Sequence, residues 1–105
     1  MMKLSETQKK HARAILAGDL LYRIPSGPEA LYEWQWMVRA PGELRGNVLQ
    51  QRTAAAIIAV GGSMDPDAKL PGWRIEHRMG YGTGWTLTRW GRERMEKALK
   101  RRDTA

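Results

Sequence analysis

The sequence has no cysteine, no phenylalanine and only two histidines. Without cysteine there is no disulfide framework, no thiol nucleophile and no thiolate metal site, which suits a protein kept in the cytoplasm. His11 and His77 have no evident third ligand beside them, so a metal centre is not expected. No apolar run approaches the ~18 residues that a membrane-spanning helix needs. The opening MMKLSETQKK lacks the apolar stretch of a secretory signal, so a cytoplasmic location without a membrane partner is expected. Acidic residues are also few. Eleven Asp and Glu stand against 18 Lys and Arg, a formal net charge of +7.

Such an excess of cations attracts polyanions and is the usual electrostatic footprint of nucleic-acid binding. It is not spread evenly. Residues 89–105 hold seven Lys and Arg against three Asp and Glu, so the last sixth of the chain carries more than half of the net charge. With 105 residues and 42% hydrophobic composition, the chain is expected to form a single domain over 1–105 with one modest core.

Proline and glycine divide the rest. Ser5 followed by Gln8 is a capping box, and Ala12, Ile15 and Leu16 share a face behind it, so a helix is expected over 6–17 with Gly18 as its stop. Leu20 to Ile24 reads as a short extended piece ended by Pro25-Ser26-Gly27-Pro28. In the run 30–38, Tyr32, Trp34 and Trp36 alternate with Glu33 and Gln35, which favours a strand with one buried face. A helix starting at Pro28-Glu29 is the competitor. Pro41-Gly42 then breaks the chain.

From Glu43 to Val60 the spacing of Leu44, Val48 and Leu49, and then of Ile57 and Ile58, predicts two short helices joined by a polar turn. Thr53 would cap the second, and Gly61-Gly62 would end it. A loop follows over 63–71, with Asp65 and Asp67 as turn residues. Trp73 to Met79 alternates, with Trp73, Ile75, His77 and Met79 on one side and Arg74, Glu76 and Arg78 on the other. Gly80-Tyr81-Gly82-Thr83-Gly84 supplies a hairpin turn, and Trp85 to Thr88 returns as a second strand. Thr88 caps a basic helix over 89–102 whose apolar stripe is Trp90, Met95, Ala98 and Leu99.

The string Gly84-Trp85-Thr86-Leu87-Thr88-Arg89-Trp90-Gly91-Arg92 resembles the ending of winged-helix proteins of bacteria and their phages: a strand, Leu-Thr, two residues, Gly-Arg, then a helix. The resemblance covers roughly 73–99. It implies that Leu87 fills the core under a wing, that Thr88 caps the last helix, and that Gly91 lets that helix pack closely. The implied fold is α+β: a winged helix-turn-helix of three to four helices with a small antiparallel sheet and a β-hairpin wing. The segment around Arg52-Thr53 would take the place of the recognition helix. That segment is chemically thin, since readers of base edges usually present several Arg, Lys, Asn or Gln side chains.

An enzyme needs converging polar groups, and none stand out. His11 lies among lysines and reads as solvated, while His77 reads as a partly buried strand residue. No catalytic residue, cofactor or metal is expected. Gly80-x-Gly82-x-Gly84 is not a phosphate loop, because strands flank it on both sides. Trp85 and Trp90 are read as core. Trp34 and Trp36 are left between core and an exposed interface or homodimer seam.

The expected binding residues are Arg45, Asn47, Gln50, Gln51, Arg52 and Thr53 on the helix-turn-helix, Arg74, Arg78 and Tyr81 on the wing, and Arg89 and Arg92 on the last helix. The expected function is DNA binding, as a transcriptional regulator of a phage or mobile element, with double-stranded DNA as the partner. The alternative is a non-enzymatic inhibitor that blocks a host protein or nucleoprotein complex, such as a CRISPR assembly.

Overall fold

The computed structural model describes residues 4–26, 33–43, 45–79 and 82–100. In chain order they form α1 (Glu6–Leu16), β1 (Leu20–Ser26), β2 (Glu33–Arg39), β3 (Asn47–Leu49), α2 (Gln51–Gly61), β4 (Trp73–Met79), β5 (Gly82–Leu87) and α3 (Arg89–Lys100). The architecture is α+β. Among the described residues, three helices lie with one five-stranded antiparallel open sheet in the order β3-β2-β1-β5-β4.

The helix starts and stops follow local chemistry. The Ser5 hydroxyl accepts from the Gln8 amide and the Gln8 side chain accepts from the Ser5 amide, which satisfies two orphan donors at the start of α1. Gly18, at φ 123°, turns the chain out after that helix. At the start of α3 the Thr88 hydroxyl accepts from the Gly91 amide at 3.1 Å and donates to the Pro71 carbonyl at 2.6 Å, so one side chain caps the helix and ties down the preceding loop. In that loop Asp65 accepts from the Asp67 amide at 2.9 Å, the turn role expected of the pair.

The core lies between the sheet and the helices. Leu21, Val38, Leu49, Trp73, Trp85 and Leu87 from the strands meet Ala12, Ile15, Ala54, Ile57 and Met95 from the helices. Trp73 is fully buried, and its indole N–H donates to the Ile58 carbonyl at 3.2 Å, so its polar atom is satisfied where its ring is packed. Gly61 makes room for that ring, since a Cβ there would come within 2.6 Å of the indole nitrogen.

Several expectations give way. The segment 43–60 is not two helices: Asn47, Val48 and Leu49 pair as a strand with Val38, Met37 and Trp36, and only Gln51–Gly61 is helical. The reason lies in β2, whose free edge satisfies the backbone of this short segment better than a one-turn helix could. Leu44, read as part of the first helix, lies outside the described residues. The run over 33–39 is a strand, as its alternation indicated. The competing helix start at Pro28-Glu29 lies outside the described residues.

The alternation of β4 breaks at a bulge. Ile75 pairs with Trp85, but the next pair is His77 with Gly84, so Glu76 is the extra residue. His77 therefore faces away from the helices and is exposed, not partly buried on the apolar side. Gly82 and Gly84, expected in the hairpin turn, are strand residues of β5. Gly84 leaves space for the ring of Tyr22, which a Cβ would approach within 2.8 Å.

Candidate nucleic-acid interface

Helices that bury an apolar stripe against a sheet turn their polar residues outward. Here the polar residues are mostly cationic. The three helices hold nine Lys and Arg (Lys9, Lys10, Arg13, Arg52, Arg89, Arg92, Arg94, Lys97 and Lys100) against three acids, Glu6, Glu93 and Glu96, so they carry +6 of the net +7.

Some of these cations are engaged. Arg92 donates to the Leu16 carbonyl at 2.9 Å and stands 4.0 Å from Glu96. Arg94 donates to the Val60 carbonyl at 3.2 Å. The last helix thus places guanidinium groups on the C-terminal ends of both other helices, where carbonyls are unpaired and the helix dipole is negative. Arg89 pairs with Glu93 and Lys9 with Glu6, each at 3.6 Å. Lys10, Arg13, Arg52, Lys97 and Lys100 are exposed or solvent-facing and make no ion pair among the described residues.

One groove of about 500 Å³ opens in this helical layer, where the start of α1 meets the β3–α2 junction. Gln50, Arg52, Thr53 and His11 line it together with Ser5 and Thr7. Gln50 stands at the cap position of α2 without making a side-chain cap, and no acid occupies the helix's first turn. His11 was expected to be solvated, and that expectation is overturned: the residue is only 9% exposed. Burial, and then the neighbouring Lys10 cation, hold its imidazole below the ordinary pKa of 6.5. Its burial was readable in the spacing, since His11 falls seven residues after buried Leu4 and four before buried Ile15.

The expected binding residues do not form one surface. Gln50, Arg52 and Thr53 converge on the groove, with exposed Gln51 beside them. Arg45 and Asn47 lie exposed at the β3 edge. Arg74 and Arg78 lie on β4, the opposite edge strand, so the full width of a five-stranded sheet, roughly 20 Å, separates the two groups. Arg74 is also paired with Glu76 at 3.3 Å. Arg89 and Arg92 belong to α3. Tyr81 lies outside the described residues, as does the side chain of Trp34. Trp36 is half-buried against the core, Trp85 is buried, and Trp90 is 40% exposed, so it does not fill the core as expected.

The sheet face away from the helices is centred on Tyr22. That ring is 1% exposed, with the Arg39 guanidinium 3.9 Å from its centroid and His77 edge-on at 6.4 Å. Covered in this way, Tyr22 has no free ring face on which a base would stack. Among the described residues, no group of three or more His, Asp or Glu is placed to hold a metal ion, and no helix is long and apolar enough to cross a membrane.

Comparison with protein-family models, with curated proteins and with solved structures found no match. Fold and surface define this chain as an α+β domain with an open antiparallel sheet and a basic helical layer.

Proposed function

We propose that this protein binds double-stranded DNA through the outer surface of its three helices, without catalysing a reaction, and acts as a regulator of a phage or mobile element. The observation that carries the reading is the segregation of charge: nine cations against three acids on the helices, five of those cations with neither an ion pair nor a side-chain hydrogen bond among the described residues. Lysines and arginines spread over a helical layer contact phosphates with little sequence information, which gives affinity that falls steeply with salt.

The antiparallel β4–β5 pair and the Thr88-capped α3 that follows it support reading this ending as a wing and last helix. In this reading a single strand–helix unit, β3–α2, stands where that fold places two helices. Arg74 and Arg78 lie at the sheet edge opposite Asn47, away from the concentration of cations on the helices, so phosphate contact is assigned to the helices.

A protein partner is the second reading. Val48, Leu70, Ile75 and Trp90 are the large exposed apolar residues that favour it, but Val48 and Ile75 lie at opposite sheet edges and make no common patch. Fluorescence anisotropy with a labelled duplex at low and at moderate salt tests the proposal. Binding that weakens as salt rises is expected. No binding at low salt contradicts it, and a stoichiometric protein captured from nuclease-treated lysate would then favour the second reading.

A further inference from the structure

We infer that the groove between the start of α1 and the β3–α2 junction is a seat for one phosphate group, held by the first amides of α2, the Arg52 guanidinium and the His11 ring. The inference deepens the nucleic-acid reading and takes from it the source of the phosphate, a nucleic-acid backbone.

Three observations converge. The amides of Arg52 and Thr53, in the first turn of an eleven-residue helix, find no acceptor among the described residues, because Gln50 makes no side-chain cap and the turn holds no acid. Such a helix start presents N–H groups and the positive end of the dipole to an anion. Next, Arg52 lines the same groove and has no carboxylate partner among the described residues, which leaves its planar fork free for oxygen atoms.

The third observation is independent of the helix end. His11, on a different element, is more than nine-tenths buried and lines the groove, yet its ring makes no hydrogen bond among the described residues. A buried imidazole is ordinarily paired. Neither ring nitrogen is among the sealed, unpaired side-chain atoms of the described residues, and the residue lines the groove, so the groove is where a ligand can reach its polar edge. With its pKa held low by burial and by Lys10, the ring is neutral at neutral pH and offers one N–H donor. Two backbone donors, a guanidinium and an imidazole N–H, with the Thr53 hydroxyl beside them, suit the several oxygens of a tetrahedral phosphate better than a planar carboxylate.

The test is a titration of the full chain with inorganic phosphate, followed by two-dimensional NMR, with sodium chloride of matched ionic strength as control. A labelled DNA duplex is titrated in a parallel series. Expected are saturable shifts at the Arg52 and Thr53 amides and at the His11 ring that chloride does not reproduce. Arg52→Gln is expected to weaken phosphate binding about tenfold, the effect of one charge-assisted hydrogen bond. His11→Leu removes the ring donor and is expected to weaken phosphate binding, its fold checked by the remaining amide signals. Equal shifts in chloride, no shifts in the groove, or unchanged affinity in a folded Arg52→Gln protein overturn the inference. Groove shifts with phosphate but no duplex binding leave the seat in place and remove the nucleic-acid reading. Duplex binding that leaves the groove unmoved does the reverse.

Discussion

The guanidinium of Arg92, near the start of α3, donates a 2.9 Å hydrogen bond to the carbonyl of Leu16, the last residue of α1. The two lie 76 positions apart in the sequence. Arg92 therefore joins the first and last helices at the C-terminal end of α1, where an unpaired carbonyl and the helix dipole both favour a cation. Replacing it with methionine keeps the stem and strands the carbonyl. The expected loss is about 1 kcal/mol, a fall in Tm of roughly 4–8 °C by calorimetry. Duplex affinity is expected to change less for Arg92→Met than for Arg52→Gln, because Arg92 is already engaged.

Gly91 sits on the α3 face that meets Gly72, and a side chain there would run into the Gly72 backbone. Alanine is the better helix former by about 1 kcal/mol, but a backbone neighbour cannot rotate away. Gly91→Ala is therefore expected to destabilise the fold, with an overpacking cost of about 1–3 kcal/mol opposing the propensity gain. Urea unfolding at unchanged slope checks it. A stabilised Gly91→Ala protein would show that the two backbones are not in contact.

Thr88 holds two bonds with one hydroxyl, to the Gly91 amide and to the Pro71 carbonyl. Thr88→Val keeps the shape and removes both, at an expected cost of about 1–2 kcal/mol. Thr88→Ser keeps both and is expected to lie close to the parent. The midpoints of thermal unfolding separate the two.

Much of this arrangement is legible in the sequence because it is local. The Ser5–Gln8 box, the Thr88 cap, the close-packing Gly91 and the alternation of Trp36 and Val38 each depend on residues a few positions apart. What escapes is set by pairing across the chain. Asn47–Leu49 has three residues, too few to show a period, and becomes a strand only because β2 offers an edge. The bulge at Glu76 turns His77 to the other face, and no local pattern marks it. The groove was half legible. Gln50, Arg52 and Thr53 stand out by residue type, whereas His11, set among lysines, reads as solvated although its spacing from Leu4 and Ile15 places it on the buried face.

The burial of His11 has a pH consequence. Its folded pKa lies below the ordinary 6.5, first from burial and then from the Lys10 cation. On acidification the unfolded chain takes up this proton before the folded chain does, so acid favours unfolding. The stability conferred by the neutral ring is fully present above about 6.5 and is lost as pH falls toward the folded pKa. Tm is expected to drop between neutral and mildly acidic pH, and His11→Gln is expected to flatten that drop. A Tm profile that is the same in both proteins would contradict it.

The most direct measurement is the salt dependence of duplex binding in two charge-neutralised proteins, one changed on the helices and one at the far sheet edge. Lys10→Gln, Arg52→Gln and Lys97→Gln together remove three helical cations that have no ion pair among the described residues. Arg74→Gln and Arg78→Gln remove those of β4. The helical variant is expected to bind weakly and to lose roughly 2–3 units from the slope of log affinity against log salt, close to one unit per phosphate contact. The β4 variant is expected to match the parent. Loss of binding in the β4 variant, with the helical variant unaffected, would contradict a DNA interface on the helical layer.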